Sequence, residues 1–493
     1  MRAGPAEAQR LWAASPLRER LRVLRGARHL MAGRAQEIAQ AISPDLARSG
    51  ADTLVSELLP LLDACRFLEK EAGHVLRTRR LKRKGRPFWL RGVTAEIQRV
   101  PIGHVLVIGP SNFPLFLSGV QVLQALAAGN RVTWKPGEGG GRIAELVAKC
   151  LREAGLPQEL LRVTEASIEA GQKALTDGAD KVVFTGSGKA ARNVLGTLGE
   201  RAIPTVAELS GADAVIVLPS ADLERAAKGL AFGLRFNGAA VCMSPRRLIA
   251  DATTLALLRP LLEREMATVP EVGIPRSEGE RLRELVSEAV AGGATVRGHV
   301  EPAAQAPLLI WGATPELRLA RTDIFAPVLA IIEVSSRDKV PGVVAQCPLA
   351  LTVAIFGDED EARRLSEQLS TGTVLINDLI VPTADPRVPF GGRGASGYGV
   401  TRGAEGLLEM TAIRSVLVRR GRSLRHFTAT TESDFEVFSE LIAAVHGGGW
   451  RSRAKAVRQL VSIVVARVRG RETTEDTRTR GTSDAAKPME HAR

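Results

Sequence analysis

A cysteine attacks a carbonyl carbon only as its thiolate, so a thiol that does chemistry needs an activating base or a positive field, together with access to substrate. The chain carries four cysteines, Cys65, Cys150, Cys242 and Cys347. Cys242 is the candidate nucleophile, in Phe236-Asn-Gly-Ala-Ala-Val-Cys-Met-Ser-Pro-Arg246, between two apparent elements. A lone internal cysteine is more often a packing residue, so its surroundings must decide. A second chemical feature is the turn Thr185-Gly-Ser-Gly188, which follows the β-rich run Lys181-Val-Val-Phe184 and opens a helix. Such a turn aims free backbone N–H groups and the positive helix end at a spot where a phosphate could sit. It matches neither G-x-G-x-x-G nor G-x-x-x-x-G-K-[S/T], and by itself a plain turn into a helix accounts for it as well.

The elements that must position these residues alternate. From about residue 100, short β-rich runs and helical stretches succeed one another, the pattern of parallel sheets covered by helices, so the fold class is α/β. His104-Val-Leu-Val-Ile108 reads as a buried strand ending in Gly109-Pro110; Ser118 to Ala128 reads as a helix closed by Gly129-Asn130; Arg131-Val-Thr-Trp134 is the next strand. Gly137-Glu-Gly-Gly-Gly141 and a helix to about Gly155 follow. A second set of strands and helices runs from Ala214 to about Asn377, then glycine-rich Pro389-Phe-Gly-Gly-Arg-Gly-Ala-Ser-Gly397 and the apolar strand Ser415-Val-Leu-Val418. Residues 421 to 450 read as a short helical appendix, Arg451 to Arg469 as a basic amphipathic helix with Val457, Leu460, Val461, Val464 and Val468 among its apolar positions, and Glu472 to Arg493 as disordered. There is no internal repeat.

Composition bounds the function. At 493 residues the chain exceeds one hydrophobic core. With 45% hydrophobic and 25% charged residues, and no apolar run near the length of a membrane span, it is read as a soluble globular protein. The arginine-rich amphipathic start shows no secretory signal, which implies a cytoplasmic setting. The scattered cysteines and histidines form neither a disulfide framework nor a metal-ligand pattern, so no metal is expected. The formal charge of +13 is concentrated in Arg77 to Arg91 and beyond Arg419. We read the first block as a solvated loop and expect no nucleic-acid partner.

Ordered motifs then place Cys242 in a family context. Asn112 stands in Gly-Pro-Ser-Asn-Phe-Pro, Lys135 and Glu138 in Trp-Lys-Pro-Gly-Glu, Phe184-Thr-Gly-Ser187 at a strand end, Glu208 in Ala-Glu-Leu-Ser-Gly211, Asp323 in Asp-Ile-Phe-Ala-Pro-Val328, and Phe390-Gly-Gly392 precedes Ser396-Gly397. Taken together and in this order, from about residue 10 to 420, the chain resembles the aldehyde dehydrogenase superfamily, nearest to the branch acting on fatty and aromatic aldehydes.

That resemblance implies an aldehyde dehydrogenase-like fold: a Rossmann-type parallel sheet domain that binds NAD (1–85 and 100–210), a second α/β catalytic domain (211–395), and a small bridging β element for oligomerisation (86–99 and 412–420), ahead of the appendix (421–469) and tail (470–493). It implies oxidation of an aldehyde to a carboxylic acid through a Cys242 thioester, with Glu208 as the base that activates water and Asn112 stabilising the oxyanion. It places the cofactor against Ile108, Gly109, Pro110, Ser111, Trp134, Lys135, Glu138, Gly186, Ser187, Leu209, Asp323 and Phe325. A carboxylate at Glu138 would repel a 2′-phosphate, which favours NAD, with NADP the alternative. Acyl-coenzyme A chemistry and an inactive scaffold are the competing readings. The implied partners are a long-chain or aromatic aldehyde and further copies of the chain as homodimer or homotetramer; the basic helix 451–469, outside the resemblance, either packs on its own protein or a partner subunit or meets an anionic membrane surface peripherally. The chain departs from the family at Ala239-Ala240, where Gly-Gln is usual, at Asp323 for glutamate, and at Ser210, Ala326 and Ala191 for glycine.

Overall fold

The run His104–Ile108 is buried at all five positions, as a parallel strand covered on both faces must be. A computed structural model describes residues 4–46, 48–420 and 425–480. In it this strand pairs in parallel with Arg131–Lys135 on one side and Lys181–Thr185 on the other. The whole sheet has six strands, in the order Leu161–Val163, Arg131–Lys135, His104–Ile108, Lys181–Thr185, Thr205–Glu208 and Gly397–Tyr398. All are parallel except the last, which returns antiparallel from far along the chain.

The helix expected from Ser118 starts earlier, at Phe116, and runs to Ala128. The reason is a remote cap: the buried Glu57 carboxylate accepts the Leu115 and Phe116 amides at 2.7 and 2.9 Å, supplying the acceptor and the negative charge that a helix start favours. Gly129, at φ 98°, ends the helix in the left-handed turn that glycine adopts without penalty. The N-terminal helices Leu17–Gly33 and Leu59–Val75 join the core beside this sheet, with Leu24, Met31, Leu61 and Leu68 buried among its side chains.

The chain leaves the first sheet after Glu208 and enters a second one at Asp213. This sheet has seven strands, ordered Thr295–Arg297, Leu308–Trp311, Val328–Val334, Pro245–Asp251, Asp213–Val217, Thr352–Phe356 and Thr373–Ile376, parallel apart from the first. The short link from Glu208 to Asp213, and the turn feeding the central strand Pro245–Asp251, bring the Glu208 and Cys242 segments together. Both sheets lie in one compact unit, residues up to Leu81 with Ala95–Leu417.

The strands Arg79–Arg80, Val93–Pro101 and Thr411–Arg419 form a three-stranded sheet. The bridging hairpin expected from residue 86 begins its strand only at Val93, because Pro87 starts a 3₁₀ turn over Phe88–Leu90. The basic stretch from Arg77 to Gly85 is solvent-exposed. Lys82–Thr94 and the chain from Val418 onward make a second unit. There the helices Glu432–His446 and Trp450–Arg480 pack on each other, with Arg467 paired to Asp434 at 2.8 Å. Helix therefore continues past residue 469, where disorder is expected from composition. Residues 470–480 contain no proline that would stop the helix. Residues 481–493 of that expected tail lie outside the described residues. Among the described residues no helix is long and apolar enough to cross a membrane.

Candidate active site

Cys242 keeps a partial opening to solvent, whereas the other three cysteines are buried. Its Sγ lies 3.7 Å from Oε1 of Glu208. Glu208 ends the strand Thr205–Glu208 and is 2% exposed. The two segments touch closely: a Cβ on Gly211 would lie 2.2 Å from the Cys242 carbonyl oxygen, so only glycine fits there. Burial pushes the Cys242 thiol well above its ordinary pKa, and the charges of Glu208, Asp213 and Asp323 push the same way, with Arg402 opposing. Burial also raises Glu208, against Arg402 and Cys242. Each negative charge in such a pair penalises the other, so the pair disfavours carrying both charges at once.

The turn ahead of Cys242 has an unusual backbone. Asn237, Gly238 and Ala239 all take positive φ, at 51°, 60° and 60°. Ala239 stands where a glycine is usual in the resembling family, and the clash of its Cβ with the backbone makes the left-handed conformation a strain of about 1–2 kcal/mol. Hydrogen bonds hold it. The Ala239 carbonyl accepts from Arg246 Nη2 at 2.6 Å and Ser244 Oγ at 3.4 Å. The Ala240 carbonyl accepts from Asn112 Nδ2 at 2.9 Å and Asn237 Nδ2 at 3.1 Å. Behind Asn237 stands Arg48, donating to its Oδ1 at 3.4 Å and forming a buried ion pair with Glu57.

Asn112 is thus brought to the Cys242 turn. One amide proton goes to Ala240 and its Oδ1 accepts the Phe113 amide at 3.0 Å, leaving one N–H for another acceptor. Asp323 lies 3.8 Å from Arg246, the same arginine that ties Ala239, and burial pushes its carboxyl up to about 6 against Arg246. It braces the turn through Arg246. Phe325 is half-buried in the same segment.

The remaining predicted residues cluster at the ends of the first sheet. Ile108 closes its strand and Gly109 donates to Lys135 O at 2.9 Å. A Cβ on Gly137 would sit 2.1 Å from Pro110 O and 2.5 Å from Ser111 N, so these two strand-end loops approach as closely as backbone allows. Lys135 is half-buried beside Gly171, whose added Cβ would be 3.5 Å from Lys135 Cε; burial lowers its pKa and Glu138, exposed at the rim, opposes that. Ser187 caps the helix Gly188–Gly199 by accepting from Ala190 N at 3.3 Å. A Cβ on Gly186 would meet the Phe184 ring at 2.8 Å, while one on Gly188 would meet nothing within 4 Å. Leu209 N donates to Ser396 O at 3.1 Å. Trp134 differs from expectation: its indole is fully buried in the core and its carbonyl accepts the Thr164 amide at 2.9 Å, so its side chain packs rather than facing a ligand. An open helix N-terminus, a half-buried lysine and a rim carboxylate suit the phosphates and ribose of a dinucleotide.

The family model "Aldehyde dehydrogenase family" matches residues 2–416. The chain belongs to the aldehyde dehydrogenase family. Among curated relatives, it is 29% identical over 451 residues to a 4,4'-diapolycopene aldehyde oxidase from Methylomonas sp., covering 89% of this chain and 85% of that one. It is 32% identical over 361 residues to a vanillin dehydrogenase from Pseudomonas fluorescens, covering 69% and 74%. Among solved structures, the Mycobacterium tuberculosis aldehyde dehydrogenase complexed with NAD+ superposes with a TM-score of 0.76 at 26% identity, covering 84% of this chain and 88% of that one. This aldehyde dehydrogenase is accordingly an oxidoreductase of the NAD(P)-dependent, aldehyde-oxidising class.

Four residues at the dehydrogenase site escape the motif reading: Arg402, Arg246, Arg48 and Asn237. Only Asn237 carries a local signal, since Asn-Gly marks a left-handed turn. The three arginines act across the fold, and nothing near them in sequence distinguishes them from solvated charges.

Proposed function

We propose that the protein oxidises an apolar aldehyde to its carboxylic acid through a thioester on Cys242, with Glu208 as the base of both half-reactions. The single observation that carries this assignment is the 3.7 Å approach of Cys242 Sγ to a buried Glu208 carboxylate oxygen. Glu208 takes the thiol proton as sulfur bonds to the aldehyde carbon. Negative charge then develops on the former carbonyl oxygen, where the second Asn112 amide proton and the Cys242 backbone N–H donate; one such donor contributes about 3 kcal/mol in related chemistry. When bound, the nicotinamide of NAD or NADP supplies the hydride acceptor that leaves the carbon as a thioester. Once Glu208 has passed the thiol proton on to solvent, it takes a proton from water as the oxygen adds to the thioester, and that proton returns to sulfur as the C–S bond breaks, releasing the acid and restoring the thiol.

Lys135, Glu138, Gly186 and Ser187 hold the cofactor in this scheme, with NAD favoured by the Glu138 carboxylate. Ile108, Gly109, Pro110, Ser111, Leu209 and Phe325 line its bed. The domain division is the two sheets, divided near Glu208–Asp213, with a bridging β element. The substrate is long-chain or aromatic; the relatives named for diapolycopene aldehyde and vanillin support an apolar channel. We place the enzyme in the cytoplasm as a homo-oligomer, with the basic helix from Trp450 as its peripheral membrane contact.

The test is NAD reduction, and NADP reduction in parallel, against aldehydes of increasing chain length. We expect Cys242→Ala to lower turnover about a thousand-fold or more. Activity that survives the substitution would overturn the mechanism.

A further inference from the structure

Resting on Glu208 as the hydrolytic base, we propose that Arg402 is a positioning residue whose guanidinium is the counter-charge that keeps Glu208 a carboxylate. Arg402 is 3% exposed, yet its Nε and Nη2 have no hydrogen-bond partner. The Oε2 of Glu208, also buried, has none either. A buried charge without a partner is strongly unfavourable. Two opposite charges left open on neighbouring elements account for each other.

The backbone brings them together. Gly397 pairs with Glu208 across the antiparallel edge of the first sheet, and Phe390 and Thr401 exchange backbone hydrogen bonds at 2.8 and 2.7 Å. Arg402, the next residue, takes φ 63° and ψ 174° at the start of the helix Gly403–Glu409. A left-handed arginine is strained, and such strain persists only where surroundings impose it. Here the guanidinium carbon lies 4.4 Å from the Phe390 ring centroid and 5.4 Å from that of Phe116, and Nη1 donates to Thr383 O at 2.5 Å. The tether to Thr383 uses one nitrogen. Stacked on aromatic rings, the cation leaves Nε and Nη2 unbonded and acts on Glu208 by its charge rather than through a direct bond.

The other charges around this point are engaged elsewhere. Arg246 is held by Asp323 and by the carbonyls of Ala239 and Ala326. On the helix that Arg402 begins, Glu409 pairs with Lys181 and Glu405 is exposed. Asp385, beside the Thr383 turn, pairs with Arg387. The facing helix Phe116–Ala128 has no charged residue. On the other side stand the acids Asp213 and Asp323, which together with Glu208 work against a thiolate at Cys242. Arg402 is the opposing cation for both groups of the pair, favouring the ionised form of Glu208 and of Cys242.

The sign of the effect follows. Removing the charge makes the carboxylate harder to ionise, so hydrolysis requires higher pH. In the full-length enzyme with saturating NAD and an aldehyde substrate, we expect Arg402→Gln to move the ascending limb of kcat to higher pH and to lower turnover at pH 7 about tenfold. Arg402→Lys should restore the limb, because it keeps the charge. An unmoved limb in Arg402→Gln, or equal impairment of the Gln and Lys variants at every pH, would reduce Arg402 to a tether for Thr383 and overturn the proposal. Should the Gln variant fail to fold, an infrared difference spectrum between wild type and Glu208→Gln decides: an ionised carboxylate band at pH 7 supports the proposal, and a protonated carboxyl band overturns it. The two readings fail separately. Normal turnover by Glu208→Gln defeats Glu208 as the base, whereas lost turnover there with an unshifted Arg402→Gln profile defeats Arg402 alone.

Discussion

The turn before Cys242 and the turn at Gly186 both lie beside parallel strands of the same unit, yet they are held by different means. Ahead of Cys242, three successive residues are left-handed, and two carbonyls, of Ala239 and Ala240, accept four hydrogen bonds between them from Arg246, Ser244, Asn112 and Asn237. At Gly186 one serine caps one helix, and the space over Gly188 is open. A nucleophile must be presented within a fraction of an ångström, so its loop is over-determined. A cofactor that enters and leaves needs donors that point outward, so its turn is spare. Strain is kept where the bond changes occur and avoided where exchange occurs.

The comparison can be broken most severely at the chemical end. Glu208→Gln should cut steady-state turnover about a hundred-fold or more and, because Glu208 serves both half-reactions, remove the stopped-flow burst of NADH as well; a burst that persists would confine Glu208 to the hydrolytic step. Absence of both burst and turnover would mean that Glu208 is needed from the first proton transfer onward. A smaller effect belongs to the open turn: Ser187→Ala removes its cap and should lower stability by about 1 kcal/mol, read as a lower Tm, with weaker NAD binding by titration. Ala239→Gly should do least. Relief of left-handed strain is offset by the extra freedom glycine has in the unfolded chain, so stability should change by less than about 1 kcal/mol. The alkylation rate of Cys242 should stay near wild type, since the braces reach backbone carbonyls and not the methyl. A large rise in that rate would show that the methyl itself restrains the thiol.

The sequence reading reached the local pieces of this site more readily than the links between them. His104–Ile108 carries four consecutive apolar residues after His104 and is flanked by glycine, and it forms the strand its pattern dictates. The Cys242 and Glu208 segments are legible as motifs, and they do come together. The early start of the Phe116 helix was not legible, because its cap is Glu57, 59 residues away from Phe116. Arg402 was not legible for the same reason: it stacks on Phe116 and Phe390 and donates to Thr383, and no periodicity tells a buried arginine from a solvated one. The direction of the Trp134 side chain was not legible, because a tryptophan at a strand end can face either core or crevice and packing alone decides; its indole lies in the core. The tail helix was cut short because composition reports the lack of a core, not the lack of a helix.

The antiparallel edge strand Gly397–Tyr398 has a consequence for the order in which the protein is made. Glu208 and the strand that carries it emerge from the ribosome long before the segment that closes their sheet edge. Until the chain has grown past Tyr398, that edge lies open, with backbone groups that have no protein partner. The sheet that begins the molecule is therefore among the last parts to be finished, and a chain stopped short of residue 397 would lack the strand beside its own candidate base. Biosynthesis thus withholds a closed site until nearly the whole catalytic body has been translated.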